Sequence, residues 1–291
     1  MKNLSVYIVA TVLAVVASFV SSLVFAPEVG RVMEKESTYD RVMRTGKIRC
    51  GYAYWPTYLD RDPNTNKLSG IWYDVTEEIG RRAKLEVEWS YETSFGQYPQ
   101  DLKDGKFDLF CGGSWVNTAR SRLVDWTMPV SYQAVEAFVK EGDTRFDYNL
   151  AAINDSSVRV STIDGEMASQ IREVDFPKST EVSLTQLSDG AQMLLNVTTG
   201  KADVTFTSPE TVIKFLQSNP GTLQQVKTHK PLRFFPETYA VAKGEGAWQE
   251  TLNGMLIELH GSGFIERTLK KHEIHPGSFY RVATPYQGTI Q

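Results

Sequence analysis

The 291-residue sequence is poor in cysteine, and its basic residues do not cluster. Cys50 and Cys111 are the only cysteines, and neither belongs to a CxxC pair or a His-spaced array, so no zinc site is predicted. The formal net charge is −4, and without a concentrated Lys/Arg face nucleic acid is not an expected partner. Nucleophile elbows of the Gly-x-Ser-x-Gly type and phosphate loops are also missing, so no cofactor is predicted.

The two cysteines allow two states. Both lie in strand-like apolar runs, which favours buried free thiols. A disulfide requires an oxidising compartment, and the sequence does not decide between these states.

Charge is absent from residues 3–27, which are mostly apolar and follow Lys2. Such a run is long enough to span a bilayer as a helix, and it also resembles a secretory signal peptide. No Ala-x-Ala cleavage site is present, and Pro27 directly follows Ala26, which slightly favours an uncleaved signal anchor. In both cases the remaining chain is predicted to be exported, to the periplasm or the outer face of the cytoplasmic membrane.

The rest of the chain, with 41% hydrophobic and 23% charged residues overall, is typical of a globular protein. Helical and strand-like patterns alternate along it, which predicts an α/β fold with parallel strands. The predicted strands are Lys47–Gly51, Leu85–Tyr91, Phe107–Cys111, Ala134–Val139, Val158–Thr162, Ala202–Thr207 and Tyr239–Ala242. Predicted helices include Thr38–Gly46, a segment through Val75 and Ile79, Thr185–Thr198 and Pro209–Gln217.

The stretch from Cys111 to Trp126 has the character of an anion-binding corner. An apolar strand runs into Gly112 and Gly113, and a short polar segment then delivers Arg120. Glycines let a ligand approach the backbone, and a guanidinium can bind a carboxylate with two hydrogen bonds. A plain strand–loop–helix connection with a solvated surface arginine is the alternative.

Several short motifs follow one another in a characteristic order. A strand ending in glycine leads to an aromatic-Pro loop and a Gly-aromatic helix start. Later come two Gly-Lys-x-Asp segments, with a glycine-rich strand end, an x-x-Arg turn and a Val-Asp-aromatic run between them. These motifs lie at Ile48–Gly51, Tyr54–Pro56, Gly70–Asp74, Gly105–Asp108, Cys111–Gly113, Asn117–Arg120, Val124–Pro129 and Gly200–Asp203. From Thr38 to Ile274 the chain therefore resembles the type II periplasmic solute-binding proteins of the polar amino acid class (bacterial extracellular solute-binding protein family 3).

This resemblance implies a two-lobed periplasmic-binding-protein-like II fold with a ligand cleft between the lobes, preceded by the N-terminal apolar helix. The implied lobe I covers residues 38–129 plus 238–274, and lobe II covers residues 134–233. The chain would cross between the lobes near Val130–Gln133 and Phe234–Glu237, and residues 275–291 would form a C-terminal tail. Hinge closure around the ligand is the expected motion.

The resemblance also implies a ligand site. Arg120 would bind a ligand carboxylate, and the carbonyl of Gly113 would accept a hydrogen bond from the ligand. Tyr54 and Phe95 would sandwich the ligand, although core packing is the alternative role for both. Trp55 would form a further wall of the ligand site.

Four positions depart from the family pattern. Asn117 stands where the family has threonine, and Trp115 stands at a hydroxyl position. Ser208 replaces the acidic residue that pairs with the α-amine of the ligand, and Glu166 follows Gly165 where a threonine is usual. Either the ligand lacks an α-amine, or Glu166 binds the amine from a new position, or the cleft is degenerate.

The predicted function is an exported solute-binding protein. It would capture a small carboxylate-bearing solute, an amino acid or related organic acid, for an ABC-type importer or a signalling partner. A membrane-tethered sensory or structural module with a degenerate cleft is one alternative. An enzyme resembling the dehydratases of this architecture, with Glu166 as general acid or base, is a less favoured one, so the chain is not expected to be an enzyme.

Overall fold

The computed structural model describes positions 15 and 18 and residues 36–55, 57–185, 188–273 and 279–282. No helix within these residues is long and apolar enough to cross a membrane. The predicted signal or anchor segment lies outside the described residues, apart from positions 15 and 18. Of the predicted tail, only residues 279–282 are described. Both assignments therefore stay predictions.

The first part of the chain forms helices and strands in the predicted alternation. They are α1 (Thr38–Thr45), β1 (Lys47–Tyr52), β2 (Asp60–Arg61), β3 (Leu68–Ser69), α2 (Ile71–Ala83), β4 (Glu86–Glu92), α3 (Tyr98–Lys103), β5 (Leu109–Trp115), a 3-10 turn (Arg120–Arg122) and β6 (Val124–Trp126). Val75 and Ile79 of α2 are buried against the sheet, as the helical spacing predicts. Every residue of β5 is buried, as expected of a central strand covered on both faces.

The second part repeats this alternation and then returns to the first. Its elements are β7 (Ser131–Lys140), a 3-10 turn (Leu150–Ile153), β8 (Arg159–Ile163), α4 (Met167–Asp175), β9 (Thr180–Leu184), α5 (Gly190–Thr198), β10 (Val204–Thr207), α6 (Pro209–Ser218), β11 (Leu223–Gln225), β12 (Arg233–Ala242), α7 (Gly246–Gly261) and α8 (Phe264–His272). The helices α7 and α8 pack back onto the core of the first part through Trp248, Leu252 and Leu269.

The strands are ordered β4-β1-β5-β12-β7-β10-β8-β9, with β11 beside β7 and β6 beside β12. Within each half the outer strands are parallel, β4-β1-β5 in one and β10-β8-β9 in the other. The long antiparallel strands β7 and β12 join the halves and pair from Glu237↔Ser131 to Arg233↔Val135. This mixed α/β architecture is the predicted two-lobed fold. The exact lobe boundaries stay a prediction, and the predicted crossing segments lie within or directly beside this β7–β12 pairing.

One secondary-structure prediction was wrong in part, and one strand was not predicted. The predicted helix Thr185–Thr198 begins only at Gly190, because Asp189 caps it, with its Oδ1 accepting from the Gln192 N–H at 2.9 Å. The strand β9 directly before it is mostly exposed, lies at the sheet edge and pairs only with β8. Only Val182 and Leu184 mark the inward face of this strand, and so short an alternation gives a weak sequence signal.

The cysteines are a further correction. Cys50 on β1 and Cys111 on β5 form a disulfide, with Cα atoms 5.5 Å apart on neighbouring parallel strands. The sequence favoured free thiols, since nothing local in it brings two strands 61 residues apart together. A disulfide agrees with export to an oxidising compartment.

Candidate functional site

The predicted ligand residues follow the carboxyl ends of parallel strands. Tyr54 and Trp55 follow β1, Arg120 follows β5, and Glu166 follows β8. Open α/β sheets commonly bind ligands at this edge, because the loops there converge and helices begin there with free N–H groups.

A cavity of about 770 Å³ lies at this edge. On one side it is lined by residues that follow β1, β4 and β5, here called the aromatic wall: Ala53, Tyr54, Trp55, Glu92, Thr93, Ser94, Phe95, Trp115 and Arg120. On the other side it is lined by residues from α4, α5, β10 and α6, here called the helical wall: Glu166, Met167, Ala168, Ser188–Ala191, Met193–Leu195, Phe206, Thr207, Thr211, Lys214, Phe215, Ser218 and Asn219. Six of the predicted ligand residues therefore share one cavity.

Arg120 is held in a fixed position, with 8% of its surface exposed. Its backbone N–H donates to Asn117 Oδ1 at 2.8 Å, which tightens the turn after β5. Its guanidinium donates to the carbonyl of Gly165 at 2.9 Å and to Ser114 Oγ at 3.4 Å, and it lies 5.5 Å from the ring centre of Tyr98. These contacts orient the guanidinium and, within the described residues, leave further N–H donors for a carboxylate.

Glu166 is the acidic group of the cavity that faces this arginine. It precedes the first residue of α4 and is half-buried. Burial raises the pKa of Glu166 to about 7, and the positive charge of Arg120 acts in the opposite direction. Among the described residues the two side chains form no ion pair within 4.0 Å, so each is available to an oppositely charged ligand group.

The rings of the aromatic wall pack on one another around Trp55. The ring centre of Trp55 lies 5.7 Å from that of Phe95 and 4.9 Å from that of Trp115. Its indole N–H donates to Thr211 Oγ1 of the helical wall at 3.3 Å. Tyr54 lies further out, where its hydroxyl donates to Glu92 at 3.3 Å. The wall thus offers flat apolar surface that is fixed before a ligand arrives.

Trp115 connects the cavity to the two crossing strands. Its ring stacks on Phe235 at 5.2 Å, and its indole N–H donates to Gln133 Oε1 at 3.0 Å and to the carboxyl of Glu237. Burial raises the pKa of Glu237 to about 8, and the hydrogen bond from Trp115 acts against this rise. Trp115, which replaces a small hydroxyl residue, therefore has its indole N–H satisfied by side chains of β7 and β12. The contacts of Gln133 and Glu237 with Trp115 were not predicted, because they depend on the pairing of strands far apart in sequence.

Three predicted ligand residues do not line the cavity. Gly113 has φ +73°, and a Cβ there would lie 2.0 Å from the indole of Trp72, so only glycine fits. Asn117 holds the backbone of Arg120. Ser208 is fully buried and caps α6, its Oγ accepting from the N–H of Thr211 at 3.4 Å. Their contact with a ligand stays a prediction, and the geometry gives each a supporting role.

The two walls already touch. Arg120 reaches the carbonyl of Gly165, Trp55 reaches Thr211, and Lys214 forms an ion pair with Asp60 at 2.6 Å. The structure is therefore a closed arrangement of the cleft.

No group of three or more potential metal-ligating side chains occurs within the part of the chain that the structure describes.

Comparison with known proteins gives a consistent assignment. The profile of the family described as "Bacterial extracellular solute-binding proteins, family 3" matches residues 48–274. No curated protein sequence matches the chain.

Three solved structures share the fold. The ancestral amino acid-binding protein AncCDT-1, a precursor of cyclohexadienyl dehydratase, is 20% identical with a TM-score of 0.70, covering 81% of this chain and 99% of that one. The solute receptor for L-cysteine of Neisseria gonorrhoeae is 15% identical with a TM-score of 0.70, covering 84% and 99%. An amino acid ABC transporter substrate-binding protein of Streptococcus pneumoniae, bound to L-arginine, is 16% identical with a TM-score of 0.68, covering 80% and 97%.

Proposed function

The chain belongs to the bacterial extracellular solute-binding proteins of family 3, and we propose that it captures a small carboxylate-bearing solute at Arg120 in the cavity between its two walls. The solute is an amino acid or a related organic acid. The family assignment confirms the predicted fold class and the prediction that the chain is a binding protein, not an enzyme.

The observation that carries this proposal is the geometry of Arg120. A buried guanidinium, oriented by Ser114 and Gly165 on a backbone that Asn117 holds, lines a preformed cavity with apolar walls. Leaving such a charge without a partner in a poorly hydrated site is costly, and a carboxylate supplies the partner. The walls already meet, so a ligand between them would be enclosed on both sides, as in hinge-closing binding proteins.

Glu166 extends the proposal to the other end of an amino acid. Its carboxylate lines the same cavity and has no ion pair with Arg120, so it suits an ammonium group. Glu166 would then bind the α-amine in place of the acidic residue that Ser208 replaces. The solved relatives named above include proteins for L-cysteine and L-arginine, which supports a solute with both charges.

The family assignment supports a proposal for the partner and the compartment. An extracellular solute-binding protein works outside the cytoplasm and hands its solute to a membrane permease of an ABC importer, or reports it to a signalling partner. The predicted N-terminal segment would either direct the chain to the periplasm or tether it to the outer face of the cytoplasmic membrane. Sequencing the N-terminus of the fractionated protein distinguishes these two arrangements.

The test is a thermal-shift and native mass spectrometry screen of the purified protein against amino acids and organic acids. A ligand present at about 100 times its Kd stabilises the folded state by about 2.7 kcal/mol, which is readily measured as a rise in Tm. We expect a bound carboxylate and a raised Tm for at least one class. A flat response to every acid would contradict the proposal and favour a degenerate cleft.

A further inference from the structure

Gln133 lies where the two halves of the molecule meet. It belongs to the crossing strand β7, and its side chain is fully buried. Its amide oxygen accepts from the indole N–H of Trp115 at 3.0 Å, and its amide nitrogen donates to the hydroxyl of Tyr58 and, at 3.0 Å, to the carboxylate of Glu210. Because an indole N–H can only donate, the amide oxygen must face Trp115, which turns the amide nitrogen toward the other two partners.

The two partners of this amide nitrogen come from different halves. Tyr58 belongs to the core around β1 and β5, where its ring packs on that of Phe279 with centres 5.4 Å apart. Glu210 lies in the first turn of α6, which packs on the half around β8 and β10. Tyr58 and Glu210 are 1% and 2% exposed, so water cannot replace a hydrogen bond that is lost there. Gln133 therefore joins the two halves through a dry contact.

Two rings connect this contact to the ligand cavity. Trp115 lines the cavity and donates to the buried amide. Trp55 also lines the cavity, and its ring centre lies 4.5 Å from that of Tyr58. Its indole N–H reaches Thr211, the residue after Glu210. Movement of α6 away from Trp55 would therefore also carry Glu210 away from the buried amide.

Resting on the function proposed above, we propose that Gln133 is a clasp that holds the cleft closed over the solute, because opening the cleft requires its amide to give up Glu210 of α6. Gln133 does not line the cavity. It is a positioning residue that acts through Trp115 and α6. Such a clasp slows dissociation of the solute and leaves association unchanged, since the solute enters the open cleft.

The experiment measures association and dissociation rates by stopped-flow fluorescence, since Trp55 and Trp115 line the cavity. The probes are the standard L-amino acids together with acetate, propionate and butyrate. Gln133→Met keeps a side chain of similar size and removes its hydrogen bonds. We expect dissociation of each probe that binds to become at least about tenfold faster, with the association rate unchanged.

Gln224→Met is the matched control. The amide of Gln224 also accepts and donates, from the N–H of Gly142 at 2.9 Å and to the carbonyl of Asp143 at 2.8 Å, but both partners belong to the turn after β7. Gln224 does not line the ligand cavity. We expect this control to lower the unfolding free energy and to keep the wild-type dissociation rate, which separates a clasp from a merely structural hydrogen bond.

A charge-conserving exchange identifies the partner and retains a buried polar pair. Gln133→Glu alone places a second carboxylate beside Glu210, and we expect faster dissociation. Adding Glu210→Gln supplies an amide that donates to the new carboxylate, while Trp115 and Tyr58 can both donate to it as well. We expect the dissociation rate of the double variant to return to within about threefold of the wild type, because the two positions are coupled.

Small-angle X-ray scattering of the protein without solute adds a readout that needs no ligand. We expect a larger radius of gyration for Gln133→Met than for the wild type and for Gln224→Met, because loss of the clasp shifts the population toward the open cleft.

The outcomes separate the clasp from the function on which it rests. If probes bind and Gln133→Met releases them at the wild-type rate, the clasp is wrong and the carboxylate site stands. A double variant that dissociates as fast as Gln133→Glu would also overturn it, since Glu210 would then not be the partner. If no probe binds, the proposed function fails and scattering decides on the clasp: equal radii for the three proteins would overturn it, and a larger radius for Gln133→Met alone would support it.

Discussion

The aromatic wall and the helical wall differ in how closely their residues match the family pattern. The aromatic wall departs from the family pattern at Trp115 and otherwise keeps it, with Arg120, the proposed anchor, beside Trp55 and Phe95. Beside the helical wall, Ser208 is a buried helix cap where an acid is usual, and Glu166 adds a new acid to the wall itself. Under the proposed function, the aromatic wall would bind the carboxylate and the helical wall would set which solute bears it.

The two halves of the sheet also differ in covalent support. The disulfide Cys50–Cys111 joins β1 and β5 directly before the residues of the aromatic wall. Among the described residues it is the only disulfide, and the half that carries the helical wall has none. We therefore expect the aromatic wall to be the more rigid surface, against which the helical wall closes.

Breaking the disulfide tests this difference and has the largest expected effect. The bond closes a loop of 61 residues, and the chain-entropy relation gives a loss of about 4 kcal/mol in unfolding free energy when it is removed. Denaturant unfolding of the reduced protein and of a Cys50→Ala/Cys111→Ala variant measures it. Hydrogen exchange should accelerate more in β1 and β5 than in β8 and β10. Unchanged stability after reduction would show that this bond does not reinforce the aromatic wall.

Removing the anchor has the next largest effect. We expect Arg120→Ala to weaken binding of the best carboxylate from the screen at least about thirtyfold, because truncating one partner of a desolvated charge pair costs roughly 2–5 kcal/mol. Calorimetric titration measures the loss. Arg122→Ala is the matched control, since Arg122 is an exposed arginine in the same 3-10 turn and does not line the cavity. Equal affinities for the two variants would place the anchor elsewhere.

Changing the pH tests the role of Glu166, with a smaller expected change in affinity whose direction depends on the ligand. With its pKa raised to about 7, Glu166 is protonated below this pH and ionised above it. An ammonium group needs the ionised form, so the affinity for 2-amino acids should rise about tenfold between pH 6 and pH 8. The plain acid of the same chain length should bind more weakly over this interval, since the ionised Glu166 repels a carboxylate.

Glu166→Gln should remove both pH dependences. Titrations of the wild type and the variant at several pH values measure this. The same pH profile in both proteins would show that Glu166 does not contact the solute, and would leave the helical wall with no acceptor for an amine.

Ser208 gives the smallest expected effect and tests its assignment as a cap. We expect Ser208→Ala to lower the unfolding free energy by about 1 kcal/mol, because an N-cap hydrogen bond of α6 is lost. Ligand affinity should stay within about twofold of the wild type. Denaturant unfolding measures the stability, and titration measures the affinity. A large loss of affinity without loss of stability would show that Ser208 contacts the ligand.

Much of the aromatic wall was predictable from the sequence, and much of the helical wall was not. Arg120, Trp55 and Phe95 follow strand ends in ordered motifs, so their meeting at one edge of the sheet follows from the parallel strand order. The role of Ser208 depends on where α6 begins, and that of Gly113 on the close approach of Trp72. Such roles arise from packing between distant segments, which a local pattern does not contain.

The Trp115–Glu237 contact shows the same limit. Glu237 has the sequence environment of a surface acid, and its burial follows only from the pairing of β12 with β5 and β7. The fold class could be predicted because it rests on repeated patterns spread along the whole chain.

The most direct test of the central claim is a crystal structure of the protein with the best carboxylate from the screen. We predict the carboxylate oxygens at about 2.7–2.9 Å from the guanidinium of Arg120, with the rest of the solute between the aromatic wall and the helical wall. A solute bound outside this cavity, or held in it with the carboxylate away from Arg120, would contradict the account.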